Sequence, residues 1–149
     1  MAALFQTCDR EALRLRIQAL RTDSPRQWGR LSPAQALRHC QMPLQVALGE
    51  LRLRRNLMGL IFGGWAKRQL LAPGEFGRNL PTAAEFRVVD ECDFEIERER
   101  LLLLVDRLGA GGPDALTKEP HPFFGRLSVE EWDALQWKHL DHHLRQFGG

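Results

Sequence analysis

The chain has 149 residues, is 44% hydrophobic and 27% charged, and carries a formal net charge of +2. That length suits one domain, residues 1–149, with its own buried core. The near balance of charge argues against a polyanion-binding protein, so no nucleic-acid partner is expected. Cys8, Cys40 and Cys92 are widely spaced and odd in number. They form neither a zinc-ribbon spacing nor a disulfide framework, which points to a reducing cytoplasm. Asp9, Arg10 and Glu11 come too early for a signal segment. The longest uncharged apolar run, Leu57 to Ala66, is about half the ~20 residues of a membrane span, so no membrane partner is expected.

Asp9 is placed to cap a first helix reaching about Leu20, with Ala12, Leu13, Ile17 and Leu20 at helical spacing. Thr22 to Trp28 holds Asp23, Ser24 and Pro25 and reads as a loop. Ser32-Pro33-Ala34-Gln35 announces the second helix: an N-cap serine, proline at the first helical position and a glutamine placed to close a capping box. Ala36, Leu37, Cys40 and Leu44 continue its apolar face. Pro43 removes the amide that would bond the His39 carbonyl and predicts a kink.

Leu51 to Leu71 is apolar and basic together, and Gly59, Gly63 and Gly64 weaken the case for one continuous helix. The Arg52-Leu53-Arg54-Arg55 cluster reads as a solvated flank on a segment covering the core or a subunit partner. Ala72 to Glu91, broken by Pro73, Gly74, Gly77 and Pro81, is long for a connection in a compact domain and is a candidate lid or site wall. Asp93 caps a helix through Leu108, with Phe94, Ile96, Leu101, Leu104, Val105 and Leu108 on its buried side and Gly109 as its stop. A second loop contains Pro120-His121-Pro122-Phe123-Phe124. Ser128-Val129-Glu130-Glu131 is another capping box, opening a final helix that closes at Gly148. Four principal helices and a helical segment between the second and third predict an all-α bundle.

Three of the five histidines lie within five residues of the last helix, in Trp137-Lys138-His139-Leu140-Asp141-His142-His143-Leu144-Arg145-Gln146. His139 and His143, four apart, share one helical face, a spacing that suits two nitrogen ligands of one ion. A third ligand is sought in His39. Trp28-Gly29-Arg30-Leu31-Ser32 and Phe124-Gly125-Arg126-Leu127-Ser128 lead alike into serine-capped helices, which gives a common phase reference. Counted from each capping serine at 100° per residue, His39, His139 and His143 lie at about −20°, +20° and +60°. His142, at about −40°, is the local rival for pairing with His139. His121, between prolines, reads as a pocket wall, a further ligand or an exposed side chain.

A histidine in the second helix, a His-x-x-x-His pair in the last and a glutamine three residues later resemble the DinB/YfiT-like superfamily. The fuller text, from Trp28-Gly29-Arg30-Leu31-Ser32 through His39 and from Pro120-His121-Pro122-Phe123-Phe124-Gly125 through Gly148, looks like an uncharacterised subfamily of it. The resemblance implies a four-helix bundle, a likeness to metal-dependent enzymes, a homodimer, and a metal triad at His39, His139 and His143. It further implies a divalent ion, nickel or zinc first and manganese or iron next, and a small-molecule substrate met by a low-molecular-weight thiol. Three neutral imidazoles leave open coordination positions, as a catalytic site needs. The expected reaction is thiol transfer to a small electrophile; metal-dependent hydrolysis and non-catalytic metal or small-molecule binding are the alternatives. Gln35, Gln136 and Gln146 are candidates to orient ligands or substrate, and Trp28, Trp132 and Phe123 to wall a pocket. Cys40 points about 100° away from His39 and reads as a packed thiol.

Overall fold

The computed structural model describes residues 2–55, 57–78 and 84–149. Among them are five α-helices and no strand: α1 (Thr7–Ala19), α2 (Pro33–Ala47), α3 (Leu57–Leu71), α4 (Phe94–Gly111) and α5 (Val129–Arg145). Both capping boxes form as the sequence predicts. Ser32 accepts from the Gln35 amide while the Gln35 side chain accepts from the Ser32 amide, and Ser128 and Glu131 repeat the exchange. Each box satisfies two amides that a helix start leaves without partners. Pro43 sits inside α2 without ending it.

Two boundaries and the continuity of α3 differ from the sequence reading. α1 starts at Thr7 with Gln6 at its N-cap; Asp9 lies in the first turn and reaches back to accept the Ala3 amide. Gly109 does not stop α4, which runs to Gly111 and is capped by Gly112 at φ +57°. Gly109 is glycine for space, because a methyl there would overlap the Arg10 side chain. α3 is continuous in spite of its three glycines, two of which face inward. Pro81, one of the expected breakers, lies outside the described residues.

α2 packs chiefly on α4 and also on α5, α1 rests on α4 and α5, and α3 lies against α5. The shared core includes Leu4, Leu13, Ile17, Leu44, Leu101, Val105, Leu108 and Leu140, all virtually inaccessible to water. Each such aliphatic side chain contributes roughly 1.5–3 kcal/mol through removal of its surface from water. The N-terminal segment is tied in by Asp133 of α5, whose carboxylate accepts the Leu4 and Phe5 amides. Between α2 and α4, buried Glu97 accepts from the Gln41 amide nitrogen at 2.7 Å. No helix among the described residues is long and apolar enough to cross a membrane. This packing sets the inner face of α2 opposite the last two turns of α5, where the histidines are.

Candidate metal centre

His39 from α2 and His139 and His143 from α5 converge. Their ring centroids are 5.0 Å (His39–His139), 4.6 Å (His39–His143) and 4.8 Å (His139–His143) apart. One nitrogen from each lies within 4.8 Å of the other two. The i, i+4 spacing stacks the α5 pair along one face, and the α2–α5 packing brings His39 across to it. The phases counted from the two capping serines therefore correspond to a real convergence.

Hydrogen bonds fix which nitrogens are free. His39 Nδ1 lies 2.7 Å from the Phe86 carbonyl, which can only accept, so Nδ1 carries the proton and Nε2 keeps its lone pair. Gln146 does the same for His143. Its Nε2 donates to the Trp28 carbonyl at 2.8 Å, so the oxygen facing His143 Nδ1 at 3.1 Å must accept, again leaving Nε2 bare. His39 Nε2 and His139 Nε2 face each other at 3.1 Å. Two nitrogens bound at about 2.0–2.1 Å to a zinc-like ion stand about 3 Å apart at coordination angles of 90–110°. The donor set thus fits a divalent ion. His139 is the exception in its outer contacts: its Nδ1 is buried with no hydrogen-bond partner among the described residues.

Burial also sets the charge state. Desolvation pushes His143 down to about 3, with the neighbouring His39 and His142 adding to the fall. His139 falls well below the usual imidazole range, first through desolvation and then through His143, His39 and His142. His39 is lowered by desolvation against the opposing Phe86 hydrogen bond. All three are neutral at pH 7, the form that ligates metal.

The other candidates have different positions. His142 turns outward: its ring meets Trp28 edge-on at 5.7 Å and lies 5.9 Å from Phe76, so it is not the partner of His139 in the cluster. His121 is a turn residue. Its backbone pairs with Gly125 in both directions, its Nδ1 accepts the Phe123 and Phe124 amides, and its ring packs on Phe124 and Trp132. Gln35 is occupied by its capping box and by the Asp90 carbonyl. Gln136 is buried, with no partner for its Nε2 among the described residues. Trp132 and Phe123 build the His121 turn. Cys40 is a packed thiol whose pKa burial raises far above the usual value.

Trp28 does belong to the surroundings of the site, through its carbonyl as well as its ring, over which Arg78 lies at 4.1 Å. The Phe86 carbonyl could not have been picked from the sequence, since every residue offers the same group. Gln146 could, because it stands three residues beyond His143 on the same helix face. A cavity of about 10 Å³ touches His143 from the core side, between Cys40, Leu101, Leu140 and Phe147. It is lined by apolar side chains and is no larger than a water.

No curated protein and no solved structure matches the chain. A match to a protein family extends over residues 4–148, nearly the whole sequence and all three converging histidines. The chain belongs to the family described as "Protein of unknown function (DUF1569)".

Proposed function

We propose that His39, His139 and His143 bind one divalent cation, nickel or zinc by preference, and that the protein is a metal-dependent enzyme of the DinB/YfiT-like kind. The observation that carries this reading is the pair of orienting bonds, Phe86 to His39 and Gln146 to His143. Both put the proton on Nδ1 and leave Nε2 bare, and the bare Nε2 of His39 faces His139. In the metal-free protein the bare Nε2 of His39 can accept a hydrogen bond from His139 Nε2–H. The second orienting bond, on His143, supports the metal reading, because ligand imidazoles are held this way to fix tautomer and ring direction.

An ion on three protein ligands would supply an open position and Lewis acidity, lowering the pKa of a thiol or water held there. The chain's own residues supply the rest. Phe86 and Gln146 hold the ligand rings, and the aromatic surface of Trp28 and Phe76 around His142 offers an apolar wall. The reaction we favour is attack of a low-molecular-weight thiolate on an electrophilic carbon: the S–C bond forms, the leaving group departs with its electron pair, and the thiol proton passes to solvent.

The burial of the three histidines, His39 buried and His139 and His143 half-buried, favours a second reading, a metal-binding protein without turnover. The two separate by experiment. Metal-loaded protein is mixed with a thiol and a chromogenic aryl halide or epoxide, and product is followed against a His39→Ala control. Turnover that needs both thiol and metal supports the enzyme. Tight binding of metal with no turnover of any thiol–electrophile or ester pair supports the binder.

A further inference from the structure

α3 is built inside out. Its inward stripe is Gly59, Gly63 and Leu70, and the first two sit against the Pro122–Phe124 backbone so closely that a methyl at Gly63 would overlap the Phe123 carbonyl. Its large apolar residues face water instead: Leu57, Met58, Leu60, Ile61, Phe62 and Trp65 are 46–71% exposed. Together they present on the order of 700 Å² of apolar surface, more than the few hundred Å² a soluble monomer ordinarily leaves open. A helix that turns small residues inward and large apolar ones outward has a second apolar phase to meet.

Charge decides which phase. From Leu51 to Gly74 the sequence has five cations, Arg52, Arg54, Arg55, Lys67 and Arg68, and no acid, while the rest of the chain is net acidic. Lys67 is engaged by Glu131 and the Arg126 carbonyl. Arg52, Arg54, Arg55 and Arg68 are exposed and have no ion-pair partner among the described residues. The cations therefore bracket the apolar face at both ends of the helix. A second copy docked on this face about a two-fold axis would bring the same cations against each other with no acid between them. A bilayer bearing anionic headgroups offers both an apolar interior for the six side chains and negative charge for the flanking arginines. Trp65 suits the boundary, where an aromatic ring with a polar edge is at home.

We propose that the exposed face of α3 is a peripheral docking site for an anionic lipid bilayer surface, with the helix lying in the headgroup plane. The apolar run Leu57 to Ala66 is too short to cross a membrane, which leaves attachment to its surface open. A 15-residue helix about 22 Å long is too short to cross but long enough to lie on the surface. This proposal is independent of metal binding, since the residues that carry it are separate from the histidine cluster.

The test is flotation of the full chain with vesicles of phosphatidylcholine alone or mixed with phosphatidylglycerol, at low and high salt. The protein should float with the mixed vesicles, release as salt rises, and stay behind with phosphatidylcholine. Each surface cation strengthens attraction to anionic lipid roughly fivefold, so R54Q/R55Q should weaken binding roughly 25-fold. L60Q/I61Q/W65Q should abolish it while far-UV circular dichroism and metal content stay at wild-type values, because these side chains support nothing in the interior. Absence of flotation, or equal binding to both vesicles, overturns the proposal. So does light scattering that shows a dimer in wild type and a monomer in L60Q/I61Q, which would assign the face to a second copy.

Discussion

Replacement of Gln146 by leucine separates the role of the orienting bond from that of the ligands themselves. Gln146 is 4% exposed and is the bridge between the α1–α2 turn and the metal centre: it accepts from His143 Nδ1 and donates to the Trp28 carbonyl. Leucine keeps the volume and removes both bonds. Loss of an outer contact of this kind lowers metal affinity about 10–100-fold, which is roughly 1.4–2.7 kcal/mol. The two lost hydrogen bonds also cost the metal-free fold about 1–3 kcal/mol, since the Trp28 carbonyl and His143 Nδ1 lose partners in a half-buried setting. Gln146→Glu discriminates further: a carboxylate still accepts from His143 Nδ1 but cannot donate to Trp28, so affinity should recover more than stability. Competition with a chromophoric chelator gives the metal affinity, and urea unfolding of the metal-free protein gives the stability. An affinity for Gln146→Leu within threefold of wild type would show that the bond does not orient His143 for a ligand, and the reasoning would be wrong.

Other outcomes follow from the packing. Gly63→Ala places a methyl on the Phe123 carbonyl and should destabilise by a few kcal/mol, while Gly64→Ala, with open space around it, should stabilise by about 0.5–1 kcal/mol through helix propensity; urea midpoints compare the pair. Leu44→Ala, at a site with 0% exposure, should cost about 2–5 kcal/mol in the same assay. His121, lowered by burial to about 4, has a folded pKa below its unfolded value of 6.5. Its contribution is therefore complete above pH 6.5 and is lost as pH falls toward 4, reaching about 2 kcal/mol of lost stability at pH 5. His121→Asn keeps an acceptor for the Phe123 and Phe124 amides but cannot titrate, so its stability should fall less than wild type between pH 7 and 5; an equal fall would assign the acid sensitivity elsewhere.

The parts of this molecule that show in its sequence are those governed by local chemistry. Both capping serines and their partners at the third helical position are recognisable because the reciprocal bonds need only four consecutive residues. The similar phase of His39, His139 and His143 shows because it is carried by residue count; that α2 and α5 pack so as to bring them together does not. What stays hidden is set by contacts distant in the chain. Gly109 resembles a helix stop, yet it is the space Arg10 occupies. Asp9 resembles a cap, yet the chain before it folds back and the helix begins two residues earlier. The direction of α3 is invisible because its large apolar residues follow one another too closely to define a face; only the Pro122–Phe124 backbone against its glycines reveals which side is inner. His121 and Gln35 look available for a site until their turn and cap bonds are seen.

The central claim is tested most directly by metal content. Untagged protein purified without chelator, then offered nickel, zinc, manganese and iron in turn, is assayed by mass spectrometry beside His39→Ala and His143→Ala. About one divalent ion per chain is expected, lost in both variants while their far-UV circular dichroism stays helical. No metal as purified and no uptake of any of the four would contradict it, and the three imidazoles would then be packing between α2 and α5.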